Sequence, residues 1–352
     1  MSRDVEGVIV AGGFGTRLQP LTTRHPKHLL NVGGVPFLEH QIVRLADAGV
    51  GHVVLATSYR AERFEPVLGD GSRWGVRLDY VQEQKPLGTA GAIRNVASLL
   101  TEDPAGAVVV LNGDILSDHD LNAQLGDFET PREGRKVDVS LHLVEVADAR
   151  PFGCVPTDKH GRVTGFVEKS QNPVTNQVNG GCYVFRRHVV DAIPPDRTVS
   201  VERETFPALV KDGRLVIGFV DAGYWRDVGT PEALVAASKD LVLGTVASPA
   251  IAAEPAGAHL AETAEVAASA TVNGGSTVAE GATVGARAVV SGSVLMANAV
   301  VEAEAVVIDS AIGPGAVIGA GADVRQSTVG DEARVAAGAT LRGQRVPCGS
   351  SD

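Results

Sequence analysis

From Leu260 onward an aliphatic residue returns at every sixth position. Leu260, Val266, Val272, Val278, Val284, Val290 and Met296 form one run. The phase shifts and resumes at Val300, Val306, Ile312, Ile318 and Val324, then shifts again to Val329, Val335 and Leu341. Small residues stand two before many anchors, at Ala264, Ala270, Ser276, Ala282, Ala288, Ser310, Ala316 and Ala322. An unstructured Ala/Gly-rich tail would not hold phase over so many anchors. The pattern is that of hexapeptide repeats in a left-handed parallel β-helix, three repeats to a coil, with anchors stacked inside and small residues at the corners. Leu260 to Leu341 then makes about four and a half coils of roughly 18 residues each.

The rest of the chain has another character. No Phe, Tyr or Trp follows Trp225, and no Lys follows Lys239. Gly244 to Ala258 carries Pro249 and Pro255 and reads as a linker. The expected domains are therefore 1–243, a linker 244–258, and a β-helix over 259–346; 352 residues suffice for two separate cores. Before the linker, strands and helices alternate. Val5–Val10, His52–Thr57, Arg77–Gln82 and Ala107–Leu111 read as strands. A helix runs from Pro36 to Gly49, with others over Ala61–Leu68 and Thr89–Leu100. This alternation predicts an α/β fold, a Rossmann-like, mostly parallel sheet with helices on both faces. Val137–Val144, Val163–Glu168 and Gly181–Phe185 are broken by Pro and Gly and predict a mixed sheet region.

A net charge of −11 argues against nucleic acid or an anionic membrane as the main partner. Cys154, Cys182 and Cys348 have neither zinc-ligand nor disulfide-framework spacing. With no secretory segment and no long apolar run, a cytoplasmic protein is expected.

The chemistry concentrates where the first strand ends, in Val8-Ile-Val-Ala-Gly-Gly-Phe-Gly-Thr-Arg-Leu-Gln-Pro-Leu-Thr22, followed by Pro26-Lys27. Gly12, Gly13 and Gly15, next to Ala11 and Thr16, let backbone N–H groups approach a ligand that side chains would block. Arg17 offers a planar donor fork and Lys27 a mobile point charge, both suited to phosphate oxygens. At the carboxyl end of a parallel strand this is a nucleoside triphosphate cradle. It is neither a P-loop nor a dinucleotide fingerprint, since both spacings are absent.

This string resembles the signature of the sugar-1-phosphate nucleotidylyltransferases. Further motifs extend the resemblance along the chain. Asn112-Gly113-Asp114 closes a buried strand, and Tyr224-Trp-Arg-Asp227-Val-Gly-Thr230 is similar to the family's late W-x-D-x-G. The resemblance implies Mg²⁺ held by Asp114 and Asp227, and carboxylates suit that hard cation. Glu83-Gln-Lys-Pro-Leu-Gly88-Thr89-Ala90 resembles the loop that lies over the base. Gly88 and Thr89 open a helix whose N–H groups can meet a ligand. Glu83 tilts the base toward guanine, whose N1–H and N2–H form an adjacent donor pair that one carboxylate can accept.

Phe152-Gly153-Cys-Val155, Phe166-Val-Glu168-Lys169 and Val178-Asn179-Gly-Gly-Cys-Tyr-Val-Phe185 resemble the family's sugar-side segments. There Glu168 and Asn179 would bind hydroxyls, Lys169 the sugar phosphate, and Gly153 would let the ring approach backbone. Val201-Glu-Arg-Glu-Thr-Phe-Pro207 resembles the GDP-mannose pyrophosphorylase branch. The resemblance implies that GTP and mannose 1-phosphate give a GDP-sugar and pyrophosphate in a homo-oligomer, dimer or tetramer. Alternatives are an unusual sugar or cyclitol 1-phosphate, an ADP-, UDP- or dTDP-sugar, or a regulatory paralogue. The paralogue is disfavoured because Arg17, Lys27, Asp114 and Asp227 are all present. An acyl-transferring β-helix is disfavoured because the only His after residue 240 is His259. Three positions depart from the family pattern: His28, Gly180 and Ser170.

Overall fold

The computed structural model describes residues 5–167, 169–251 and 257–349. The chain divides into two compact units. One joins Met1–Gly13 to Gln41–Trp225, and the other joins Phe14–His40 to Arg226–Asp352.

The first unit is built on a seven-stranded sheet. Its order is Val216–Asp221, Val139–Glu145, Gln177–Arg186, Ala107–Asn112, Val5–Ala11, His52–Thr57, Arg77–Gln82. Only Gln177–Arg186 runs against its neighbours; the other pairs are parallel. The apolar run that opens the chain therefore becomes a central strand, with Ile9 between Leu55 and Leu111. Strands buried on both faces read as continuous aliphatic runs, as Ala107–Leu111 does. Tyr183, Phe185 and Phe206 pack together beside them, with ring centroids 5.1 to 6.1 Å apart.

Two expectations need correction here. The strand expected over Val163–Glu168 is absent over its described part; only single bridges, Thr157 to Val163 and Cys154 to Val167, form there. The helix expected to reach Leu100 stops at Asn95, and Ala97–Leu99 continues as a 3₁₀ turn. Asn95 and Val96 are poorer helix formers than Ala, and bonds from Leu99 to Val96 and from Leu100 to Ala97 tighten the last turn.

In the second unit, three parallel ladders of short strands start at Ala258–Leu260, Glu265–Val266 and Thr271–Asn273. Val278, Val284 and Val290, with Ala282 and Ala288, fill the interior with their counterparts in later coils. The coil length corrects the sequence expectation. After the first coil the step is 17 residues, as Val278 meets Leu295, then Ile312, then Val329. The interior column accordingly runs through Leu295, Val301 and Val307, not Met296, Val300 and Val306. The dropped residue falls at one corner. There Ser276, Ser293, Ser310 and Ser327 stack, each hydroxyl accepting the amide of the residue below at 3.1 Å. Each such bond contributes about 1 kcal/mol. The helix Pro231–Val242 starts at Thr230, whose hydroxyl accepts the Ala233 amide, and Ser238 on its flank meets Thr277 at 2.9 Å.

Among the described residues, no helix is long and apolar enough to cross a membrane.

Candidate active site

In the first unit, strand Val5–Ala11 delivers the chain to Gly12 and Gly13. Gly13 has φ +99°, and its N–H donates to the Ser58 hydroxyl at 3.1 Å. A Cβ on Gly12 would lie 3.3 Å from that hydroxyl and 4.0 Å from Glu83 Oε2. The Glu83 carboxylate thus faces bare backbone. Its own amide donates to Thr57 carbonyl at 2.8 Å, which fixes it beside the end of the neighbouring strand. Burial pushes the Glu83 carboxyl above the ordinary range, opposed by a hydrogen bond from the Leu87 amide. A lone serine after a strand carries no signal in the sequence, and only its bond to Gly13 marks Ser58.

The helix Gly88–Asn95 opens against the stretch around Val199. Two of its first four amides, Ala90 and Gly91, donate to the Val199 carbonyl at 3.0 and 3.3 Å. Gly88 has φ +70°, and a Cβ there would sit 2.6 Å from the same oxygen. The Thr89 hydroxyl donates to Glu202 at 3.1 Å and accepts the Val201 amide at 2.8 Å. The helix start thereby holds the 199–202 stretch in place.

That stretch borders a cleft of about 540 Å³, lined among others by Gly153, Phe166, Lys169, Asn179, Glu202 and Arg203. The volume suits a small polar ligand. Three of the four expected sugar-side residues meet here; Glu168 lies outside the described residues. A Cβ on Gly153 would come 3.0 Å from the Val167 carbonyl, so a side chain there would press on the wall. Asn179 is held at both ends: its Nδ2 donates to the Tyr183 hydroxyl at 2.8 Å, and its Oδ1 accepts the Gly181 amide at 3.0 Å. Complete burial drives the Tyr183 phenol well above its usual range, so it stays a donor, 3.4 Å from Glu202. Glu202 and Arg203 received no role from the sequence. Their stretch was visible, but adjacent charged residues look like an exposed helix start.

Asp114 stands in the turn after strand Ala107–Asn112. The turn is pinned by Gly113 N–H to the Val10 carbonyl at 2.9 Å, and by Gln41 Nε2 to the Asn112 and Ile115 carbonyls at 2.8 and 2.9 Å.

The structure accounts for two of the three departures. A Cβ at position 180 would run into the His142 ring, so Gly180 makes room for that histidine. His142 stacks on His119 with centroids 3.6 Å apart. Burial, and then the charge of Arg44, push His142 down to about 3, so the stack is neutral. Ser170 accepts the Asn172 amide at 3.1 Å and starts a turn. His28 is buried in the 3₁₀ turn Lys27–Leu29.

The second unit holds Gly15, Thr16, Arg17, Lys27 and Asp227. Gly15 has φ +61°, and a Cβ on it would press on Thr22 and Lys27 at 3.0 and 3.1 Å. Thr16–Leu18 is a 3₁₀ turn closed by Leu18 N–H to the Gly15 carbonyl at 2.9 Å. The Arg17 guanidinium passes over Gly229, where any Cβ would block it, and lies 3.7 Å from the Asp227 carboxylate. Arg17 remains mostly exposed. Thus the signature arginine and the W-x-D-x-G carboxylate, remote in sequence, come together.

Among the described residues no three acidic, His or Cys side chains cluster as a metal cage. Carboxylates such as those of Asp114 and Asp227 are hard-oxygen donors of the kind that Mg²⁺ takes when phosphates complete its shell, so their chemistry fits that cation.

Residues 6–242 match the family model described as nucleotidyl transferase, and residues 256–349 the one described as GMPPB C-terminal domain. A mannose-1-phosphate guanylyltransferase of Mycobacterium tuberculosis is 53% identical over 251 residues, covering 71% of this chain and 68% of that protein. A mannose-1-phosphate guanyltransferase of Debaryomyces hansenii is 36% identical over 245 residues, covering 69% of this chain and 64% of that protein. Among solved structures, HddC from Yersinia pseudotuberculosis complexed with GMP-PN is similar with a TM-score of 0.57 at 28% identity, covering 67% of this chain and 98% of that one.

Proposed function

This chain belongs to the nucleotidyl transferase family, and from that premise we propose that it makes a GDP-sugar and pyrophosphate from GTP and a hexose 1-phosphate, namely mannose 1-phosphate. The observation that carries the base assignment is the Glu83 carboxylate set against the side-chain-free backbone of Gly12. A carboxylate accepts from guanine N1–H and N2–H together; the other common bases offer no such pair. The relative complexed with GMP-PN and the two mannose-1-phosphate guanylyltransferase relatives support the same assignment.

In this reaction an oxygen of the sugar phosphate attacks the α-phosphorus in line, and pyrophosphate leaves with the bonding electrons. Little covalent work falls to the protein; positioning and charge neutralisation carry the rate. Ala11, Gly12, Gly13, Gly15 and Thr16 cradle the triphosphate with backbone, and Gly88 and Thr89 border the base. Arg17 neutralises charge growing on the leaving pyrophosphate, and Lys27 serves the α-phosphate. Lys169 holds the attacking phosphate, while Asn179 and Glu168 take sugar hydroxyls beside Gly153. The locked Asn179 amide favours one hydroxyl geometry over its epimer. Asp114 and Asp227 would hold Mg²⁺, which supplies charge neutralisation on the phosphates when bound.

Pyrophosphate release with GTP and a panel of mannose, glucose and cyclitol phosphates tests the acceptor. Mannose 1-phosphate is expected to give the highest kcat/KM. A higher value for a cyclitol phosphate would overturn the sugar assignment and leave the guanylyl transfer intact.

A further inference from the structure

We propose that the last coil of the β-helix is a working part of the catalytic machinery, with Arg345 as a positioning residue for Arg17 and Asp227. The inference rests on the roles proposed above for those two residues. Arg345 Nη1 donates to the Arg17 carbonyl at 2.8 Å and to the Gln19 carbonyl at 3.2 Å. One oxygen lies within the 3₁₀ turn Thr16–Leu18 that carries the Arg17 side chain, and the other belongs to the residue that closes it. Arg345 Nη2 lies 3.6 Å from Glu232, in the first turn of the helix that begins four residues after Asp227. One guanidinium thus spans the backbone of the signature turn and the element that follows the late carboxylate. Its planar fork suits this double duty, which a single ammonium cannot perform.

A second clasp lies beside the first. Arg24 pairs with Glu332 at 2.6 Å and donates to the Gly349 carbonyl at 2.8 Å. His25 meets the buried Asp331 at 2.9 Å. The Cys348 thiol lies 3.6 Å from the Pro20 carbonyl. Arg24 and His25 lead directly into Pro26 and Lys27. The segment between the two phosphate-directed cations is therefore held along its length by residues 331–349. Exposed ion pairs contribute little to stability. Holding a charged side chain in register contributes to rate, because a displacement of about 1 Å from the reacting geometry can cost up to roughly a hundredfold.

The test uses the full-length protein and the variants Arg345→Ala, Arg345→Lys and Glu332→Gln. Arg345→Ala is expected to lower kcat about tenfold, with KM for mannose 1-phosphate unchanged within about twofold. Arg345→Lys should recover part of the loss, since an ammonium still reaches the carbonyls. Hydrogen exchange should quicken at the amides of Leu18, Gln19 and Leu21 in Arg345→Ala, and less so in Glu332→Gln. Unchanged kcat and unchanged exchange in Arg345→Ala would overturn the proposal. So would a lowered Tm with full activity below it, which is the mark of a purely structural contact. The exchange measurement does not depend on the reaction. If the wild-type protein makes no GDP-sugar, the functional proposal fails while the clasp is still tested.

Discussion

The core of the sheet unit is irregular: Tyr183, Phe185 and Phe206 interlock beside aliphatic strands, and a stacked histidine pair is buried behind Gly180. The core of the β-helix repeats valine, isoleucine and alanine coil after coil, with a serine at one corner. The groups proposed to read the ligands, Glu83, Lys169 and Asn179, all belong to the first. Arg17, Lys27 and Asp227, proposed to handle charge, all belong to the second. An irregular core can shape a pocket to one base and one sugar. A regular solenoid supplies a stiff support for side chains that must not wander. The comparison separates the two kinds of kinetic consequence: changes in the first unit should alter which substrates are used, and changes in the second should alter turnover.

The largest effect is expected from Asp227→Asn, with kcat reduced about a hundredfold or more, since charge stabilisation by a held metal contributes several kcal/mol. Asp114→Asn should do the same from the other unit, and it is the one exception to the division. Near-wild-type turnover of both at saturating Mg²⁺ would remove the metal assignment.

Next comes Glu83→Gln. An amide offers one acceptor oxygen and turns a donor toward guanine. The loss of a charged hydrogen bond and an unpaired buried donor should cost about 2–3 kcal/mol, or roughly 30- to 150-fold in kcat/KM for GTP. Use of dTTP should hold or improve. An equal loss with both nucleotides would break the link between this unit and base choice.

A smaller effect concerns pH. The Glu83 carboxyl titrates above the ordinary range because it is buried. Guanine takes the carboxylate, so protons compete with GTP below that raised value, and KM for GTP should rise as pH falls through it, by at most about tenfold per unit. The KM of Glu83→Gln should stay flat over the same window. A matching rise in the variant would assign the titration to another group.

The smallest effect on turnover is expected from Gly180→Ala. The new methyl meets His142, and overpacking of this kind costs about 1–3 kcal/mol of stability. Denaturant titration should show that loss, and the double variant Gly180→Ala, His142→Ala should regain part of it. Full stability in the single variant would mean that the histidine stack yields freely.

Much of this architecture was legible in the chain. His52–Thr57 and Arg77–Gln82 form strands over the very residues expected: the first is a buried aliphatic run, and the second is a half-exposed strand at the sheet edge. The repeat announces the β-helix, yet its sixfold spacing points to coils of about 18 residues where the structure steps by 17 after the first. Met296 and Leu295 are both apolar, so periodicity alone cannot choose which one faces inward; the buried serine ladder, spaced by 17, chooses. In the proposed site, Gly12, Gly153, Lys169 and Asn179 stand in recognisable motifs. Ser58, Glu202 and Arg345 are not marked in this way, because their importance lies in what they touch across 45 to 328 residues of chain. No local spacing encodes such contacts.

The central claim is guanylyl transfer to a hexose 1-phosphate. It is tested most directly by offering the protein equimolar ATP, CTP, GTP, UTP and dTTP with mannose 1-phosphate and Mg²⁺, and weighing the nucleotide sugars formed. GDP-mannose should dominate the products, and Glu83→Gln should lose that preference. A different nucleotide sugar as the main product of the wild-type protein, unchanged by Glu83→Gln, would contradict the claim.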